Sequence, residues 1–334
     1  MGAQSEARDA AQLQGKGRLA LVTGGAGFIG AHLVDRLLAA NWRVRVLDNL
    51  SIGRPENVAP DAELIMGDIT DPAACQRACH GADTIFHLAA NVTIRGSIQA
   101  FHHDANVNIL GTLALLQAAS AAKVRRFVLT SSMAVYADPL QPVPLDESSP
   151  ARPETPYGIS KLAAEHYTLL LAPQAGIEPV VLRLFNTFGT RQTYTPYVGV
   201  VTIFIRNGLA ETPSVILGDG FQCRDFVGVQ DVAAALALAA DAPRAAGQVI
   251  NIGSGTGTTV NQVVEMLRER MPTARFQHVD SVPGEPRHSV ANIQKAMDIL
   301  GYRPCRSLSG EFDHMIQWWS DNLARAGSNK TPTA

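Results

Sequence analysis

The strongest constraint on the fold is a glycine-rich turn between an apolar strand and a helix. Leu19–Thr23 is apolar up to its threonine, and Thr23-Gly24-Gly25-Ala26-Gly27-Phe28-Ile29-Gly30 follows. A short apolar run closed by glycine reads as a buried strand. From about 28 to 40, Ile29, Leu33, Leu37 and Leu38 recur at helical spacing. Gly24, Gly27 and Gly30 stand three apart. The first lets the chain turn tightly. The second lets backbone approach a pyrophosphate, and the third lets helix and strand pack closely. The helix N-terminus then offers free N–H groups and a positive dipole end to phosphates.

Strand and helix patterns keep alternating after this turn. Strands are expected at 44–47, Glu63–Met66, 84–88, 127–130, 179–184 and 249–252, with helices at 106–121 and 157–171. This alternation predicts an α/β fold, a doubly wound parallel sheet of Rossmann type. After Asn186 the pattern is less regular, with more Gly, Pro and Thr. A smaller C-terminal lobe is therefore expected from about 187–225 and 257–325, beside a nucleotide domain of 18–186 and about 226–256. Residues 1–17 and 326–334 read as flexible tails.

Asp48 closes the second strand, 24 positions after Gly24. A carboxylate there can accept both ribose hydroxyls of an adenosine. Asn49 and Leu50 follow it, with no Arg to meet a 2′-phosphate, so NAD is expected rather than NADP. Gly67-Asp68-Ile69 follows the third strand and is placed to reach the adenine edge.

Tyr157 and Lys161 stand four apart, on one face of a helix, and Ser132 lies 25 positions upstream of Tyr157. A free phenol, with a pKa of about 10, is a poor base near neutrality. A neighbouring cation favours the phenolate, so Lys161 is expected to lower the pKa of Tyr157. With a dinucleotide turn in the same chain, the expected chemistry is hydride transfer at a carbon bearing a hydroxyl.

Composition narrows the partners. Charged residues are 17% of the chain and the net charge is −2, which gives no electrostatic case for nucleic acid or an anionic membrane. No apolar run approaches the roughly 18 residues that span a bilayer. Residues 1–17 hold no apolar signal-like core, and a cytoplasmic location is expected. Cys75, Cys79, Cys223 and Cys305 have no metal-site spacing and read as idle thiols, and no metal is expected. His102 and His103 read as surface residues.

The ordered motifs resemble the extended short-chain dehydrogenase/reductase family, and within it the nucleotide-sugar 4-epimerases related to UDP-glucose 4-epimerase. They are VTGGAGFIG at 22–30, LDNLSIG at 47–53, GDITD at 67–71, HLAA at 87–90, TSSMAVY at 130–136, YGISK at 157–161, RLFNTFG at 183–189, CRDFVGVQDVA at 223–233 and PGEPRHS at 283–289. The resemblance implies that Tyr157 is the acid/base, that Lys161 holds the nicotinamide ribose, and that Ser132 bonds the reacting hydroxyl. It implies NAD contacts from Gly24, Gly27, Phe28, Ile29 and Gly30, and from Asp48, Asn49, Ser51, Gly53, Asp68 and Ile69. Leu88, Ala89, Ala90 and Asn108 would complete that cleft. Asn186 and Arg224 would hold the substrate diphosphate, unless Arg224 is spent on an ion pair with Asp225 or Asp219. Arg287 would join them. The resemblance also implies a homodimer through a four-helix contact of 106–121 and 157–171, with Ala118, Ala119, Ala122, Ala163 and Ala164 small enough for close approach.

Residues after Ser132 discriminate within the family. Dehydratases carry an Asp-Glu pair there and decarboxylases a Glu, because those reactions need extra proton-transfer groups. Here Met133 and Ala134 stand instead. Epimerisation at C4 of a UDP-sugar is expected, through a 4-keto intermediate. A nucleotide-linked 4-ketoreductase is the alternative. Ser289 aligns where some relatives carry a bulky aromatic, and its small side chain leaves room for a 2-acetamido group. Arg191 could instead meet a C6 carboxylate, a diphosphate or its own loop.

Overall fold

The computed structural model describes residues 15–139, 141–195, 198–281 and 287–328. Seven strands make one parallel sheet: β1 (Leu19–Thr23), β2 (Arg43–Asp48), β3 (Glu63–Met66), β4 (Thr84–His87), β5 (Arg126–Ser132), β6 (Glu178–Leu184) and β7 (Gln248–Ile252). Their order is β7-β6-β5-β4-β1-β2-β3. The chain winds outward from β1 to β3, then returns to the far side of β1 and winds the other way. Loops after β1 and β4 therefore part in opposite directions and leave a crevice, as in doubly wound sheets generally. Thr23 is level with Leu47 on one side and His87 on the other. Gly24, Asp48 and Leu88 thus emerge side by side.

Helices cover both faces. One core joins Val22, Leu33, Val128, Leu182 and Ile250, and the other joins Leu21, Ile85, Leu115, Phe127 and Ala164. Burial on both faces explains why the strands read as continuous apolar runs. β2, β5, β6 and β7 run longer than the apolar pattern indicates, whereas β4 stops one residue earlier. β5 continues to Ser132 because Ser131 and Ser132 stay in the ladder, opposite Arg183 and Leu184. Cys75 and Cys79 lie in the second core, where burial pushes their thiols up to about 11 and about 12.

The helix expected at 106–121 is divided. Phe101–Ala105 is α-helical, Asn106–Gly111 is a π-helical turn, and α-helix resumes over Thr112–Ala121. The turn brings Gly111 against Ile69, where a Cβ would lie 2.7 Å from Ile69 Cδ1. The helix Pro156–Gln174 begins with Thr155 as cap, its hydroxyl accepting from Gly158 N at 3.1 Å, and with Pro at the first position.

Beyond β6 a separate core forms from Phe188, Phe204, Phe226, Val263, Phe312 and Trp319. Asn186–Phe188, Cys223–Gly228 and His288–Ser289 run parallel, and Gly257–Thr259 is antiparallel to Cys223–Gly228. Ser214–Leu217 pairs with Phe276–Val279. The expected tails differ at their inner ends. Gly15 N and Gly17 N bond Ala40 O and Asn41 O at 2.8 and 3.0 Å, and the last helix, Leu308–Ser328, passes 325. Residues 1–14 and 329–334 lie outside the described residues, as does 283–286 of the PGEPRHS motif. Among the described residues, no helix is long and apolar enough to cross a membrane.

Asp225 joins this lobe to the β7 end of the sheet. It is fully buried. Oδ1 accepts from Ser254 N and Oγ, both at 2.7 Å, and Oδ2 from Gly255 N at 2.9 Å and Ala291 N at 3.1 Å. Both oxygens face N–H donors, so an amide in either orientation sets its own N–H₂ against them. Asp225→Asn, though isosteric, is expected to cost about 3 kcal/mol in urea unfolding. A loss under 1 kcal/mol would contradict the joint.

Candidate functional site

The crevice is shaped by absent side chains. Gly24 has φ +72°, and a Cβ there would stand 2.8 Å from Ala89 N. At Gly30 a Cβ would collide with the Gly24 carbonyl, and at Gly53 it would lie 2.9 Å from Ala26 Cβ. Gly27 N bonds Gly24 O at 3.1 Å. Asp48 staples the rim: it accepts from Ala26 N at 3.0 Å and Leu50 N at 2.8 Å. Burial raises its carboxyl pKa, and these two amides oppose the rise. Asn49 Nδ2 bonds Asp68 at 2.7 Å, and Ser51 N bonds Asn49 Oδ1 at 3.0 Å. Leu88 N and Ala89 N bond Thr23 O and Thr23 Oγ1 at 3.1 and 3.2 Å. Ile69, by contrast, turns its side chain into the core, and Ile29 packs on the other core. A backbone-lined cradle of this kind fits a dinucleotide pyrophosphate, with Asp48 at the ribose end.

At the far end of the crevice the Ser132 hydroxyl stands near enough to Tyr157 to act on its phenol pKa. Ser132 Oγ accepts from Ala134 N at 3.2 Å. Tyr157 and Lys161 are buried on one helix face. Here the structure corrects the expected electrostatics. Burial pushes the Tyr157 phenol up to about 12, against the Ser132 hydroxyl and with the Asp104 charge adding to the rise. Burial likewise brings Lys161 down to about 8, against the attraction of Glu165 and Asp104. Desolvation outweighs the pairwise effect that spacing alone indicates. Asn108 lies in the π-helical turn and is buried; its Nδ2 bonds Ser160 Oγ at 3.1 Å.

Glu165 and Asp104 escaped the sequence reading. Glu165 continues the Tyr157–Lys161 stripe by one more turn, a spacing that was visible. It accepts from Ser131 Oγ, and from Arg183 Nε and Nη2 at 2.9 and 2.7 Å, both partners being buried. Arg183 lies over the Tyr136 ring at 4.7 Å, and Tyr136 OH donates to Asn251 Oδ1 at 2.7 Å. The Glu165–Arg183 pair thus lies one helix turn from Lys161 and bonds Ser131, the neighbour of Ser132 in β5.

The lobe carries the residues expected at the substrate diphosphate. Asn186 begins the strand after β6 and pairs with Phe226. Its Nδ2 is buried with no partner among the described residues. Ser289 stands beside Arg224 in register; it is 1% exposed, and its Oγ likewise has no partner among them. Arg224 Nη1 donates to Cys223 O at 3.0 Å. Asp219 is engaged by Arg287, at 2.9 and 3.0 Å, and Asp225 by the amides described above. Arg287 N also bonds Asp138 Oδ2 at 3.1 Å. Arg191 is not brought to this group. It adopts φ +65° and pairs with Asp35 at 2.7 Å, on the glycine-loop helix Phe28–Ala39.

The Lys161 shift has a stability consequence. Its folded pKa, about 8, lies below the unfolded value of about 10.5, so protonation favours the unfolded chain. The penalty is full below pH 8 and vanishes by about 10.5. Without bound nucleotide, Lys161→Met is expected to be more stable by about 3 kcal/mol at pH 7, with the gain gone near pH 10.5. Denaturant unfolding at the two pH values checks this; a gain independent of pH would contradict it.

The description of the NAD dependent epimerase/dehydratase family matches residues 20–253. A UDP-glucose 4-epimerase of Halalkalibacterium halodurans is 33% identical over 323 residues, covering 90% of this chain and 96% of that protein. The structure of a Thermotoga maritima UDP-glucose 4-epimerase with UDP-glucose superposes with a TM-score of 0.87 at 35% identity, over 91% of this chain and 99% of that one. A UDP-N-acetylglucosamine 4-epimerase of Methanobrevibacter ruminantium, in complex with UDP-N-acetylmuramic acid, gives 0.86 at 32%, over 92% and 99%. With the glycine cradle and the Ser132–Tyr157 pair in place, these likenesses establish that the chain belongs to the NAD-dependent epimerase/dehydratase family.

Proposed function

We propose that the chain interconverts the C4 epimers of a UDP-sugar through a 4-keto intermediate. The observation that carries this is the Ser132 hydroxyl beside the buried Tyr157 phenol, with Met133 and Ala134 following Ser132 in a short 3-10 turn. Neither Met nor Ala can move a proton, so the groups that elimination or decarboxylation needs are missing from the family's position for them. Bound in the glycine cradle, NAD supplies a reversible hydride acceptor and, when oxidised, a positive charge. The positive charges of Lys161 and oxidised NAD would favour the Tyr157 phenolate against its burial; Tyr157 Oη then takes the proton of the C4 hydroxyl and returns it to the opposite epimer. Ser132 Oγ holds that hydroxyl in line, and Lys161 holds the nucleotide ribose. Asn186, Arg224 and Arg287 hold the diphosphate, so that the sugar alone turns.

Ser289 supports acceptance of 2-acetamido sugars as well as plain hexoses, because its small side chain sits beside Arg224. The Arg191–Asp35 pair weighs against a uronate carboxylate held by Arg191. NMR of the protein with UDP-glucose, UDP-N-acetylglucosamine and UDP-glucuronate, with no added reductant, tests this. Formation of the C4 epimers of the first two without net NADH supports the reading. Conversion of none of the three would sink it. Tyr157→Phe is expected to lower turnover roughly 10²–10⁴-fold with the fold intact.

The same reading includes a homodimer. Ala118, Ala119 and Ala164 pack in the core and do not form the contact surface. Leu110, Ile159, Tyr167 and Leu170 are exposed instead; the last three share one face of Pro156–Gln174. Exposed apolar side chains on one helix face suit a second copy of the chain. Light scattering is expected to give a dimer for the native chain and a monomer for Leu170→Glu; a native monomer would refute the dimer.

A further inference from the structure

His87 closes β4 inside the protein, 2% exposed. Its Nδ1 lies 2.8 Å from Thr23 Oγ1 and its Nε2 2.9 Å from Thr112 Oγ1. The surrounding hydroxyls decide the tautomer. Thr112 has one hydroxyl proton and gives it to Asn108 O at 2.7 Å. Only its lone pairs face the ring, so Nε2 carries the hydrogen. Nδ1 is then an acceptor and takes the Thr23 hydroxyl proton, while Thr23 Oγ1 accepts from Ala89 N at 3.2 Å. Hydrogen bonds therefore run in one direction, from the Ala89 amide through Thr23, His87 and Thr112 to the Asn108 carbonyl. Burial brings the ring pKa down to about 3, and the Lys161 charge acts the same way, so the imidazole is neutral. The edge of Phe127 fills the space beside it, ring centroids 5.8 Å apart.

Both ends of this relay touch the site. The Ala89 amide is the atom that a Cβ on Gly24 would strike. Asn108 Oδ1 accepts from Asn91 N at 2.8 Å, and Asn108 Nδ2 is shared among Asn91 O, Asp104 Oδ1 and Ser160 Oγ, each at 3.1 Å. Ser160 Oγ donates to Tyr157 O at 3.0 Å. A leucine could fill the same space, but it could not hold two hydroxyls in opposite senses.

We propose that His87 is a positioning residue, a neutral imidazole of fixed tautomer that sets the glycine loop of the NAD cleft in register with the helix turns carrying Asn108 and Tyr157. The idea rests on the reading of Tyr157 as the proton-transfer group. The test uses Thr112→Val, which keeps the shape and removes the acceptor for Nε2. Nitrogen chemical shifts of histidine-labelled protein report the tautomer, with the His87 signals identified by their loss in His87→Gln. NAD release is timed separately, and kcat is measured at saturating UDP-sugar.

The native ring is expected as Nε2–H, unchanged from pH 5 to 9. In Thr112→Val it is expected to switch to Nδ1–H, with NAD release about tenfold faster and kcat about tenfold lower. A native Nδ1–H ring, titration within that range, or a ring that keeps Nε2–H in Thr112→Val would overturn the proposal. So would a switched tautomer with NAD release and kcat both within twofold of native, the result of a merely structural role. If Thr112→Val does not fold, Thr23→Val takes its place, with faster NAD release expected and an unchanged rate decisive against. Tautomer and NAD release are read without sugar, so an absence of UDP-sugar turnover would remove the epimerase reading alone.

Discussion

At Gly24 the chain leaves the central strand in a left-handed conformation, against the backbone of Ala89, with no space for a side chain. The crevice depends on that close approach. It lets the loops after β1 and β4 part directly above the sheet, where the strand order reverses. Asp48 fixes one side through the Ala26 and Leu50 amides, and Thr23 fixes the other through Ala89. These are local bonds, but the level ends of β2, β1 and β4 make them neighbours. Sheet register thus becomes the geometry of a binding cleft.

Charge is arranged by depth. Tyr157 and Lys161 are both buried, and burial moves each toward its neutral form. Glu165 opposes that movement at Lys161, while its own charge is met by Arg183 from β6. Removing Arg183 would leave a buried carboxylate facing Lys161 alone, and removing Glu165 would leave a buried guanidinium. The catalytic helix is therefore matched to β6 by charge as well as by packing.

What was legible in the sequence was local. The glycine spacing, the alternation of strands and helices, and the Tyr157–Lys161 face follow from neighbours within a turn or two. The π-helical turn at Asn106–Gly111 was not, because its apolar residues look the same in α-helical spacing. The sequence leaves Arg191 open among a carboxylate, a diphosphate and its own loop, because its partner Asp35 lies 156 positions away and no local pattern announces it. The sign of the Tyr157 shift is hidden from the sequence for a related reason. Spacing gives the neighbour of a group, whereas burial is a property of the whole fold.

Mutational tolerance in the lobe runs opposite to the visibility of its charges. Arg287 and Asp219 form a bidentate pair at the surface, with side chains 59% and 52% exposed, and water would take over from either partner at small cost. Asp225 presents nothing to solvent, yet both its shape and its charge are specified, the first by close packing and the second by amides on each oxygen. Asn keeps the shape and fails the charge; Glu keeps the charge and fails the shape. Position 225 therefore has no conservative substitute for the fold, whereas at 219 and 287 the fold accepts many, and only the diphosphate role proposed for Arg287 restricts that position.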